Sequence, residues 1–126
     1  MSMRITRLAD AEPFKPVGHE GVGPVHLQGG PSTPTSKVTV VLSHYLPRAS
    51  AELAPQPVET VYVVISGALV MISEGEEATL EPHDSVHFTP GTMRSVENRT
   101  NLPASMLVIR PTAGPREEST DDHTRQ

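Results

Sequence analysis

The stretch Pro47-Arg48-Ala49-Ser50-Ala51-Glu52-Leu53-Ala54-Pro55-Gln56-Pro57-Val58-Glu59-Thr60-Val61-Tyr62-Val63-Val64-Ile65-Ser66-Gly67 decides how the chain folds. Its first half is interrupted by prolines and reads as a loop, since proline fixes φ and lacks the N–H that a strand ladder needs. Its second half, residues 58–65, is nearly continuously apolar and β-branched. That is the pattern of a buried strand, and Gly67 stops it.

Outward from this stretch the pattern repeats. Residues 37–46 are rich in β-branched side chains and too short for a typical helix, so they form a strand that Pro47 is expected to end. Residues 68–73 make the next strand, and Glu74-Gly75-Glu76 makes a hairpin turn because glycine tolerates positive φ. Short strands follow at 78–80, 85–89, 94–97 and 106–109, separated by Pro82-His83-Asp84 and Pro90-Gly91. No uninterrupted helical period appears anywhere. Strands at this spacing imply an all-β sandwich or barrel.

The flanks differ from this core. Residues 1–36 are rich in Gly and Pro and read as an extended N-terminal segment with short strands at 4–8 and 25–28. Residues 37–111 form the barrel core, and 112–126 are polar and expected to be a disordered tail.

At 126 residues the chain fits one domain. Two Phe, two Tyr and no Trp make the core aliphatic. A net charge of -5, with ten Lys and Arg scattered along the chain, argues against nucleic acid. The absence of cysteine removes disulfides, thiolate nucleophiles and Cys-ligated zinc. No apolar run approaches the roughly 18 residues of a membrane span, and the N-terminus lacks a signal-peptide core. A soluble, cytoplasmic protein without membrane partners is expected.

Residues 37–111 resemble the cupin superfamily of small double-stranded β-helix (jelly-roll) barrels. Aligned on Gly67, the family's first motif places its opening glycine at Arg48, its two histidines at Ala54 and Gln56, and its glutamate at Thr60. The second motif falls on His83, Thr89, Gly91, Arg94 and Asn98, with Asp84 and Pro90 fitting the local pattern. Pro47, Gly67, Asp84, Gly91 and Asn98 therefore match the scaffold. The positions that bind metal in typical members carry Ala54, Gln56, Thr60 and Arg94 instead.

Those residue types suit a divalent metal poorly, because it wants imidazole and carboxylate around it and a guanidinium repels a cation. Glu59 sits one residue before the glutamate position, and a one-residue shift in a strand points a side chain to the opposite face. No metal ligand and no cofactor are therefore assigned. Arg94 is the suggestive substitution, since a buried cation needs a partner. It pairs either with a bound organic anion or with Glu52, Glu59 or Glu97, or it reaches solvent.

The expected function is metal-independent binding of a small organic molecule inside the barrel, with Arg94, Gln56, Thr60, Tyr62, His44 and His87 as candidate liners. Whether the protein is an enzyme stays open, and no catalytic residue is assigned. Two alternatives stand beside this reading. One is a metal-dependent lyase, isomerase or dioxygenase with relocated ligands, for which His44 and His87 are the strand histidines. The other is a structural role, in which the N-terminal segment joins a neighbour's sheet; a homodimer is expected on each of these readings.

Overall fold

The structure, a computed structural model, describes residues 2–112. The expected tail, Thr112 apart, lies outside the described residues. A single 3-10 turn at Leu8–Asp10 precedes nine strands: β1 (Glu12–Pro13), β2 (His19–Gln28), β3 (Val38–Pro55), β4 (Thr60–Ser66), β5 (Leu69–Ser73), β6 (Glu76–Leu80), β7 (Ser85–Phe88), β8 (Met93–Glu97) and β9 (Ala104–Pro111). They are joined in the order β6-β5-β8-β3-β9-β4-β7, with β2 added along β3 and β1 along β2. Every pairing is antiparallel, and the sheet curls into a nearly closed barrel.

Two local expectations are corrected. Pro47 does not end its strand, because β3 runs on through Pro55. The first part of β3 pairs with β9, from Val38↔Pro111 to Tyr45↔Ala104, and its last part pairs with β8, from Ser50↔Glu97 to Pro55↔Met93. Pro47 lies in the gap between those ladders, where no N–H is required, so it marks a bend instead of a stop. Arg48 completes the bend with a φ of 68°. The expected strand at 4–8 is also absent, since that region enters the 3-10 turn. The strand foreseen at 25–28 is the end of the longer β2, which lies along β3 of its own chain.

The core follows from strand alternation. On β4 the buried positions are Thr60, Tyr62 and Val64, every second residue. The matching face of β3 buries Val41, Ser43 and Tyr45, and β9 buries Met106, Val108 and Arg110. Val64, Leu69, Met71, Leu80, Val96, Met106 and Val108 form the mainly aliphatic centre, each such side chain contributing roughly 1.5–3 kcal/mol by leaving water.

The scaffold residues close the turns. Gly67 has a φ of 74°, and a Cβ there would lie 2.6 Å from the Pro103 carbonyl oxygen, so only glycine fits. Buried Asn98 donates from Nδ2 to the carbonyls of Leu46 (3.1 Å) and Leu102 (2.8 Å), while its Oδ1 accepts from the Thr100 amide and hydroxyl. This one side chain pins the β3 bend to the β8–β9 connection.

Candidate functional site

The site lies where four strand ends meet. Gln56 follows directly on β3, Thr60 opens β4, Arg94 is second on β8, and Arg110 is next to last on β9. The Gln56 amide donates to the Thr92 carbonyl and its carbonyl accepts from the Gly91 amide, at 2.9 and 2.7 Å. The β3 end is thereby fixed to the turn before β8. Ala54 stands directly opposite Arg94 across β3 and β8.

The polar side chains form one connected network. Arg94, only 1% exposed, donates from Nε to the Tyr62 hydroxyl at 2.7 Å and from Nη1 to the Glu52 carbonyl at 2.9 Å. Tyr62, having accepted that bond, donates its proton to Gln56 Oε1 at 3.2 Å. Gln56 Oε1 also accepts from Arg110 Nη2 at 2.7 Å. Arg110 Nε donates to Thr60 Oγ1 at 3.2 Å, and Thr60 in turn donates to the Val58 carbonyl at 2.9 Å. Two donors on one oxygen fix the Gln56 amide with its carbonyl facing Arg110 and the Tyr62 hydroxyl. Tyr62 also packs edge-on against Phe88, with centroids 5.3 Å apart.

Charge is the unusual property of this cluster. None of the three carboxylates that could have neutralised Arg94 does so. Glu52 meets it through the backbone carbonyl alone. Glu59 pairs with His87 at 2.8 Å, and Glu97 pairs with Arg99 at 2.7 Å. Among the described residues no carboxylate lies within salt-bridge distance of Arg94. A buried cation held only by neutral dipoles carries a large uncompensated desolvation penalty.

The sequence candidates therefore divide. Arg94, Gln56, Thr60 and Tyr62 converge in the network. His44 and His87 do not, since both are exposed. His44 lies between the buried Ser43 and Tyr45, so strand alternation turns it outward, and His87 bonds Glu59 on the outer face. Glu59 itself is exposed, as its one-residue offset requires.

Three residues were not foreseen. Arg110 shares a face with Met106 and Val108, and that alternation was the signal for it. Tyr45 is fully packed on β3, and its hydroxyl has no hydrogen-bond partner. His19, at the start of β2 and opposite Ala51, donates from Nδ1 to the Val17 carbonyl at 2.9 Å. Its Nε2 is buried without a partner. Burial lowers the His19 pKa below the ordinary 6.5, helped by the Arg94 and Arg110 charges and opposed by the Val17 carbonyl and Glu52. Burial, with Tyr62 alongside, pushes the Tyr45 hydroxyl above the usual phenol range, against the pull of Arg94. Both groups are accordingly neutral near pH 7.

As a metal centre the cluster has the wrong donors. Ala54 has no donor atom, Gln56 and Thr60 offer neutral oxygens already engaged by Arg110, and Arg94 brings positive charge. No group of three or more His, Cys, Asp or Glu suited to a metal occurs among the described residues.

An antiparallel barrel with polar residues from four strand ends gathered at one end of its core is the architecture of a small cupin. The chain belongs to that family: the cupin domain model matches residues 41–110. It is 42% identical over 106 residues to the beta-D-galactosidase Rv1717 of Mycobacterium tuberculosis, covering 84% of this chain and 91% of that protein. It is 32% identical over 117 residues to the tetracenomycin polyketide synthase protein TcmJ of Streptomyces glaucescens, covering 81% and 74% respectively. The polyketide cyclase RemF from Streptomyces resistomycificus has the same fold, with a TM-score of 0.77 over 96% of this chain and 90% of that one at 15% identity.

Proposed function

We propose that the protein binds a small organic anion at the polar end of the barrel, without a metal. The observation that carries this reading is Arg94: buried, held by Tyr62 and the Glu52 carbonyl, and lacking a carboxylate among the described residues. A bound carboxylate or enolate supplies the missing charge through charge-assisted hydrogen bonds, which are stronger than neutral ones. Arg110 adds a second cation to the same network. Calorimetric titration with a panel of small carboxylates, after exhaustive chelation of the protein, tests the reading. Saturable binding that disappears in Arg94→Met supports it, and binding that requires restored Mn, Fe, Ni or Zn contradicts it.

A second reading is favoured by one observation, the 42% identity to a protein named as a beta-D-galactosidase. On this reading the ligand is a β-D-galactoside and the protein hydrolyses it. Glycoside hydrolysis ordinarily uses two carboxyl groups flanking the scissile bond. The hydrogen-bonded cluster brings none among the described residues. Incubation with a chromogenic β-D-galactoside separates the readings: chromophore release that Arg94→Met abolishes favours hydrolysis.

A further inference from the structure

Two buried side-chain atoms among the described residues have no hydrogen-bond partner, and they are His19 Nε2 and the Tyr45 hydroxyl. Buried polar atoms are almost always paired, so each exception calls for a cause. Chance placement would scatter such atoms over the molecule. The packing around these two leads to one group, Arg94, whose charge also bears on both. Backbone geometry gives the same location. Arg94 Nη1 bonds the Glu52 carbonyl, the Glu52 amide bonds the Gly18 carbonyl at 2.9 Å, and Gly18 precedes His19. Tyr45, on the inward face of β3, packs in the same core cluster as Tyr62, whose hydroxyl holds Arg94.

The two orphans are complementary in kind. His19 is fixed with its proton on Nδ1 by the Val17 carbonyl, so Nε2 presents a lone pair and accepts. Tyr45 keeps its proton and donates. A simple carboxylate satisfies Arg94 and the Tyr45 donor but has no hydrogen to give to His19. A ligand that also carries a hydroxyl satisfies all three.

We infer that the site takes a hydroxylated carboxylate, whose carboxylate is held by Arg94 and whose hydroxyl groups bond His19 Nε2 and the Tyr45 hydroxyl. This rests on the anion-binding reading and adds the class of anion. His19 and Tyr45 are the residues that distinguish a hydroxy acid from a plain acid, because leaving a buried polar group unpaired is what penalises the wrong ligand.

The test uses three probes of one ring size. D-galacturonate carries the carboxylate and the hydroxyls, cyclohexanecarboxylate carries the carboxylate alone, and D-galactose carries the hydroxyls alone. They are titrated into the wild type, Tyr45→Phe and His19→Leu. D-galacturonate is expected to bind best and to lose about ten-fold in affinity in each variant, the size of one good hydrogen bond, while cyclohexanecarboxylate is unaffected. Equal binding of the two acids, unchanged in both variants, overturns the hydroxy-acid inference and leaves the anion reading intact. Binding of D-galactose alone overturns the anion reading, and no binding by any probe overturns both. Stability supplies a second readout. Removing an unpaired buried hydroxyl leaves the apo protein as stable or more stable, so a Tyr45→Phe variant with a lowered melting temperature contradicts the orphan assignment.

Discussion

Ala54 and Arg94 are cross-strand partners in the β3–β8 ladder, and both are buried. Opposite residues in an antiparallel pair share one face. The methyl group of Ala54 leaves the volume that a long guanidinium side chain fills. Room on one strand thereby matches the charge carried by the other.

Filling that room should expel the charge. Ala54→Leu is expected to force Arg94 from its bonds with Tyr62 and Glu52, destabilising the fold by about 1–3 kcal/mol through overpacking. Urea denaturation measures the loss, and calorimetry should register weakened anion binding in the same variant.

Asn98 is the structural counterpart, buried directly after β8. Its amide satisfies the Leu46 and Leu102 carbonyls and, through Oδ1, the Thr100 amide and hydroxyl. Asn98→Ala strands those groups and should cost about 2–3 kcal/mol. Chemical denaturation will show it as a lowered midpoint.

Two left-handed positions predict opposite signs. His83 has a φ of 77° with an exposed side chain, at the position where the second cupin motif opens with glycine. His83→Gly should stabilise by about 0.5–1 kcal/mol, as relief of left-handed strain outweighs the added chain entropy. Gly67→Ala should do the reverse and severely, because the new Cβ meets the Pro103 carbonyl. Thermal melts of the two variants check both directions.

His19 gives the protein a specific acid sensitivity. Its folded pKa lies below 6.5, by burial first and by Arg94 and Arg110 second, against the Val17 carbonyl and Glu52. Between the folded value and 6.5 the unfolded chain binds more protons than the native one, so stability rises with pH there. The contribution is fully present above 6.5 and is lost as the pH falls through the folded value. Melting temperatures taken from pH 7.5 downward should fall more steeply for the wild type than for His19→Leu.

The barrel was legible because β-branched runs and Pro/Gly punctuation recur from residue 37 to 111. Pro47 misled because proline ends a strand only where its missing N–H is needed, and at the bend between two ladders it is not. Arg94, Gln56 and Thr60 were found by alignment with the cupin motifs, and Tyr62 as a polar residue on the strand of residues 58–65. Arg110 and Tyr45 were open to a simpler signal, the period of two that places them with Val108 and Ser43. That same period faces His44 outward. His19 carried no such signal, since its place beside Arg94 depends on how β2 folds back along β3 and on the Gly18–Glu52 backbone bond.

The central claim is that Arg94 anchors an organic anion without a metal. The most direct measurement is calorimetric titration of D-galacturonate into chelator-treated wild type and into Arg94→Met, whose apolar side chain keeps the volume while removing the charge. The account predicts saturable binding to the wild type that persists in excess EDTA and vanishes in the variant. Binding that survives Arg94→Met, or that EDTA abolishes in the wild type, would contradict it.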